Sequence, residues 1–279
     1  MEVSRSAGFR FTVFGAWIAI LFLTLPLLVV VPVSFTPHRY LSLPGPEWSL
    51  RHYATLLSDP AWLRSVRDSV IVACGSSALA VVLGALVAIG CWRISTRLSE
   101  FVRMLMLAPM IVPTIVHALG FYQGWVQFGL IDTYAGLILA HAMKGTPYVV
   151  ISVSAALANV DVRLEQAARN LGATMTQTLR MVLIPAARPG ILAGAVFAFA
   201  LSWDELVVNL FITSRHVYTL PRKIWDGIQD NIDPAVAAVA TLLIATTVLA
   251  MVLRTTLSHR SGRRRQREAR QGRASPQSP

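Results

Sequence analysis

Apolar runs long enough to cross a bilayer recur along this 279-residue chain, and no other feature narrows its possible folds so far. A hydrocarbon core ~30 Å thick takes about 20 residues of helix to cross, and inside it every backbone N–H and C=O needs a partner within the protein. Six runs qualify: Phe11 to Val33, Ser69 to Trp92, Phe101 to Phe128, Tyr134 to Leu157, Ile191 to Thr213 and Ala235 to Leu257. With 54% of residues hydrophobic and 14% charged, the composition lies outside the usual soluble range. The expected fold class is all-α, a membrane protein of six transmembrane helices. Residues 1–10 form an N-terminal tail, 11–257 the spanning domain and 258–279 a basic, disordered tail.

The first run follows a basic start, as a signal peptide does. It exceeds the usual signal core of ~7 to 15 residues, and no small-x-small cleavage site follows it, so it is expected to remain as an anchor. The net charge of +11 distributes unevenly: 17 arginines fall on one set of alternating segments, and seven basic residues on the other. By the positive-inside rule both termini and residues 158–190 are cytoplasmic in a multi-pass membrane protein. This asymmetry accounts for the charge without a nucleic-acid partner. The basic tail suits anionic lipid instead, and Trp48, Tyr53 and Trp62 suit the headgroup level as an aromatic belt. Cys74 and Cys91 lie in one predicted helix, about 25 Å apart at ~1.5 Å per residue, which excludes a disulfide and a metal pair.

Prolines interrupt the third and fourth runs, at Pro109 and Pro113 in APMIVPTIVHALG and at Pro147 in KGTPYVV. Between the fourth and fifth runs lies EQAARNLGATMTQTLRMVLIP, residues 165–185, too polar for lipid. Val160, Leu164, Ala167, Ala168 and Leu171 fall at helical spacing on one stripe. Asn159 or Asp161 is placed to cap that helix, Gly172 to end it in the left-handed conformation, and Thr174 to cap a second short helix that Pro185 stops. The two alanines leave a shallow face on which another protein's backbone can approach closely.

This segment resembles the cytoplasmic EAA loop of ATP-binding-cassette importer permeases. The matching pieces are Gln166-Ala167-Ala168, then Gly172, then an apolar stretch ending at Ile184-Pro185. The sequence departs from the pattern at one place: the first triplet position holds Gln166, and the carboxylate, Glu165, lies one residue earlier. SWDELVVNLFIT in the fifth run and LPRKIWDGI after it are similar to the polyamine-type group, the spermidine and putrescine permeases; Met110 stands where that group's pattern places an acid. The resemblance spans roughly residues 10 to 257. It implies a coupling helix between spans four and five that fits a cleft on an ATPase. It also implies two ATPase subunits, a second permease chain and an extracytoplasmic solute-binding protein as partners. No GxxxxGK[ST] phosphate loop occurs, so ATP-Mg is expected on the partner and no cofactor in this chain.

Asp204 and Glu205 are the carboxylates set deep in a predicted span, where a bare charge costs ~2.5–3.5 kcal/mol on insertion scales. At ~1.5 Å per residue they lie about 12–14 Å below the outer end of span five, and His141 and Lys144 lie about 14 and 18 Å down span four. One reading is an intramembrane ion pair. The other is a cation-attracting substrate path formed by Asp204 and Glu205 with Ser202, Trp203, Asn209 and His141, in which Trp203 offers its ring to an amine.

The function expected is the membrane-spanning subunit of an ATP-driven importer for a small organic cation such as spermidine or putrescine. The alternatives are the same importer class carrying another small organic solute, and a stand-alone ion-coupled transporter using the two acids as ion sites. An enzyme is not expected, since GxSxG, HExxH and metal-spaced His/Cys patterns are absent.

Overall fold

The computed structural model of the chain describes residues 7–94, 96–230 and 233–274; residues 1–6 of the expected N-terminal tail and 275–279 of the basic tail lie outside them. The described residues are mostly helical, with no strand among them. Five helical runs are long and apolar enough to cross a membrane: Phe9–Val33, Pro60–Ile94, Tyr134–Leu157, Met175–Trp203 and Ala235–Leu253. A sixth, Arg97–Met110 with Thr114–Phe128, qualifies only as a pair bent by 98°.

The chain divides into two compact units. The first comprises residues 1–59 and 227–279 and holds α1 (Ala7–Val33), α2 (Arg51–Ser58) and α12 (Ala235–Ala274). The connector from α1 to α2 is fastened by polar ends on apolar bodies: Ser34 Oγ lies 2.6 Å from Tyr53 Oη, His52 Nε2 lies 3.0 Å from His38 O, and the Phe35 ring packs on Tyr53 and Trp48. Backbone helix persists to Ala274, past the Leu257 boundary after which disorder was expected. Arginine, glutamine, glutamate and alanine are good helix formers, and an established helix propagates into them at little cost.

The second unit, residues 60–226, is built on α3 (Pro60–Ile94), α6 (Tyr134–Leu157) and α9 (Ile184–Trp203). Small residues make their close approach possible. A Cβ at Gly84 would sit 2.7 Å from Val149 Cβ, and one at Gly194 2.8 Å from Val149 Cα, so Val149 of α6 is clasped from both sides. Ala80, Ala88, Ala142, Val153, Ala187 and Ala198 extend the same seam. Dispersion between closely packed backbones, rather than expulsion of water, holds helices together in an apolar solvent.

Four expectations change. The second run begins at Pro60, nine residues before the expected start, and carries Trp62 into the interior at 2% exposure, which removes it from the aromatic belt. The third run is broken outright. α4 (Arg97–Leu107) ends in a 3-10 turn at Ala108–Met110, and α5 (Thr114–Phe128) starts afresh, because Pro109 and Pro113 between them withdraw two N–H donors from one turn. Pro147, by contrast, interrupts nothing: α6 is gripped by α3 and α9 on both flanks, and that packing outweighs one lost bond. Nor does Pro185 stop a helix. α8 (Met175–Thr178) runs through a π-helical stretch, Leu179–Leu183, directly into α9, and the widened turn makes room for the proline ring.

Candidate functional site

The fifth run also breaks, and this break organises a site. α9 ends at Trp203, and α10 (Val207–Ile212) begins after Asp204–Leu206. Ion pairing and hydrogen bonds replace the lost helix. Glu205 Oε1 accepts the Val208 N–H at 3.1 Å, and its Oε2 holds the Lys144 ammonium of α6 in an ion pair whose side chains are 9% and 10% exposed. Asn209 Nδ2 donates to Glu205 O and to Thr219 Oγ1, leaving its Oδ1 to accept from His141 Nε2–H at 2.9 Å. His141 Nδ1 then accepts the Ser202 hydroxyl at 2.7 Å. His141 is thus a brace across the break, bonded to one residue on each side of it.

Beside this brace opens a cavity of about 430 Å³, lined by α4–α5 residues Pro109, Met110, Thr114 and His117, by Lys144 and Tyr148, and by Phe197, Asp204 and Glu205. Of the six residues expected to form a substrate path, Asp204 and Glu205 line it. His141, Ser202 and Asn209 are buried and bonded to each other, and Trp203 stacks on Phe199 with centroids 5.9 Å apart. Thr114, His117, Tyr148 and Phe197 escaped sequence reading. A signal existed in the spacing of Phe197, Leu201 and Asp204, and of Lys144 and Tyr148, which puts each set on one helical face.

The end of the unit nearest the start of α3 is fixed by two aspartates. Asp68 is fully buried and accepts from Tyr134 Oη (2.7 Å), the Tyr218 N–H (3.2 Å) and Arg67. Asp132 adopts a left-handed φ of 57° and accepts the N–H groups of Ser214, Arg215, His216 and Val217 at 2.7–3.2 Å. Burial alone would raise its carboxyl; the four donors outweigh burial and hold it below its ordinary value. The sign follows from linkage: the anchoring is complete above the ordinary carboxylate range and is lost only as the pH falls through the depressed value. Asp132→Asn is expected to speed amide exchange of residues 214–217 about tenfold at neutral pH, read by hydrogen–deuterium exchange; unchanged protection would show the loop to be held by other contacts.

At the other end, α7 (Arg163–Asn170) closes with the hydrogen bonds of a Schellman turn. Gly172 takes φ +85°, its N–H bonds Arg169 O at 2.9 Å, and the Ala173 N–H bonds Ala168 O at 3.1 Å. Thr174 and Gln177 form a reciprocal cap on α8. Asp161 Oδ1 accepts the Arg163 N–H at 2.8 Å. Gln166 and Ala167 are exposed, Ala168 is half-buried, and Ile184 and Pro185 are half-buried beside the main seam. Glu165 turns inward, 7% exposed, and accepts from Arg93 Nε of α3 at 2.7 Å.

Residues 80–263 match the model of the binding-protein-dependent transport system inner membrane component. The chain belongs to this family: it is a multi-pass inner-membrane permease subunit of an ATP-binding-cassette importer, and not itself an enzyme. It is 30% identical over 234 residues to the spermidine/putrescine transport system permease protein PotC of Escherichia coli (strain K12), covering 83% of this chain and 87% of that one. Against the putrescine transport system permease protein PotI of the same strain it is 30% identical, covering 80% and 82%. It is also 32% identical over 213 residues to the molybdenum transport system permease protein ModB of Mycobacterium bovis (strain ATCC BAA-935 / AF2122/97), covering 71% and 80%. A bacterial ABC transporter that imports the acidic polysaccharide alginate shares the fold, with a TM-score of 0.65 at 16% identity over 93% of this chain and 99% of that one.

Proposed function

We propose that this subunit carries a small organic cation of the polyamine class, such as putrescine or spermidine, through six spans with both termini in the cytoplasm. A solute-binding protein outside delivers the solute, a second permease chain completes the path, and two ATPase subunits beneath bind ATP-Mg and drive the cycle. One observation carries the cationic reading: the charge left open in the cavity is the exposed carboxylate of Asp204, because Lys144 is already neutralised by Glu205. The resemblance to PotC and PotI supports the same class. Purified with its ATPase and binding-protein partners in proteoliposomes, the complex is expected to take up labelled putrescine or spermidine on ATP addition, and molybdate or neutral solutes not at all. Molybdate uptake, or uptake by this chain alone on an ion gradient, would overturn the assignment.

In this reading α7 is the coupling helix. Leu171, 89% exposed, and the exposed Leu164, Gln166 and Ala167 form the face that meets the ATPase, and Ile184 and Pro185 open α9 further along the chain. Glu165 serves as a latch to Arg93 rather than as an ATPase contact, since its carboxylate faces inward. Glu165→Gln and Arg93→Met are each expected to slow ATP-driven uptake about three- to tenfold, and the double variant no further than either single one. Additive losses, or a loss confined to Glu165→Gln, would instead mark that carboxylate as a direct ATPase contact.

A further inference from the structure

Resting on the amine reading, a limit on the solute's charge follows from the ionisable groups that reach the cavity. Lys144 and Glu205 face each other with little exposure, and Thr114 Oγ1 lies 3.5 Å from the same ammonium. The second Glu205 oxygen is occupied by the Val208 N–H. Asp204 is exposed on the cavity and makes no ion pair among the described residues. His117 lines the same cavity, and its buried Nδ1 has no hydrogen-bond partner among the described residues. The cavity therefore offers one uncompensated negative charge.

We infer that Lys144 is a specificity-determining residue: by cancelling Glu205 it leaves Asp204 as the single counter-charge, so the cavity takes one ammonium at a time. The favoured solute is a primary monoamine or one end of a diamine, with the ammonium donating to Asp204. A solute that must seat two charges together is disfavoured, because its second ammonium meets Lys144 rather than an acid. Lys144 thus acts through charge and never leaves Glu205 in this scheme.

The test varies the charge of the cavity stepwise in the permease–ATPase complex held in nanodiscs, with equilibrium binding of labelled butylamine and putrescine as the readout. In the wild type the two Kd values are expected to agree within about threefold. Lys144→Met exposes a second carboxylate and is expected to tighten putrescine on the order of tenfold more than butylamine. Lys144→Met combined with Glu205→Gln restores the single negative charge, and the wild-type ratio with it, which separates the charge effect from any packing defect. Asp204→Asn is expected to weaken both amines at least about tenfold. A putrescine-to-butylamine ratio that stays flat across the series, with both amines bound, overturns this inference alone. Failure of the wild type to bind either amine would remove the amine reading and the inference together.

Discussion

Gly172→Pro is expected to abolish recovery of the ATPase with the permease while leaving the amount of inserted protein unchanged. Gly172 sits at φ +85° and gives its N–H to Arg169 O, and proline can satisfy neither condition: its ring fixes φ near −65° and it has no N–H. The turn joining α7 to α8 must therefore open, at ~3 kcal/mol or more, and an α7 set in another direction presents Leu171 and Gln166 to nothing. Since ~1.4 kcal/mol is a factor of ten, association should fall by about a hundredfold or more. Gly172→Ala gives the graded control. Its N–H survives, and the left-handed strain of ~1–2 kcal/mol predicts a loss of about tenfold. Nothing lies within 4 Å of a Cβ at this position, so any loss in the alanine variant reports backbone strain and not a clash. Full ATPase recovery by Gly172→Pro, measured by affinity purification, would mean that the turn has no part in docking.

The second large effect concerns folding. Glu205→Gln strands the Lys144 ammonium in a site where its side chain is 10% exposed, and an uncompensated buried charge of this kind destabilises by about 3–5 kcal/mol. The purified variant should unfold well below the wild type in a thermal scan. Adding Lys144→Met should recover most of the loss, because an ion pair replaced by groups of similar volume is often close to neutral. Asp204→Asn, at an exposed carboxylate with no ion pair among the described residues, should leave the unfolding temperature alone and act on transport only. If Glu205→Gln and its Lys144→Met partner are equally unstable, the pair does not hold the break between α9 and α10, and the His141 bridge does so by itself.

The contrast between these neighbours shows how far a sequence reaches. Apolar run length showed where membrane-length helices lie, because the bilayer fixes ~20 residues per crossing whatever surrounds them, though not that the third and fifth runs break. Gly172 and Thr174 were legible for an equally local reason: a left-handed turn and a capping box depend on residues within four positions. Pro147 and Pro185 were not. Whether a proline ends a helix depends on what packs against it, and the grip of α3 and α9 on α6 is absent from any local pattern.

The same division runs through the site. The sequence by itself determined that two acids lie deep in an apolar stretch, that a histidine and a lysine lie at comparable depth, and that a polar segment interrupts the apolar runs. Tertiary structure alone decided which acid is free and which is cancelled. The break after Trp203 leaves Asp204 exposed and Glu205 buried, and only the position of α6 puts Lys144 beside the second of them. Likewise it turned His141 inward to bridge Ser202 and Asn209, and brought Thr114 and His117 to the cavity by folding the third run through 98°. Hydropathy and capping are properties of a segment and its solvent. Ion pairing is a property of distance between segments, and distance is set only when the chain packs.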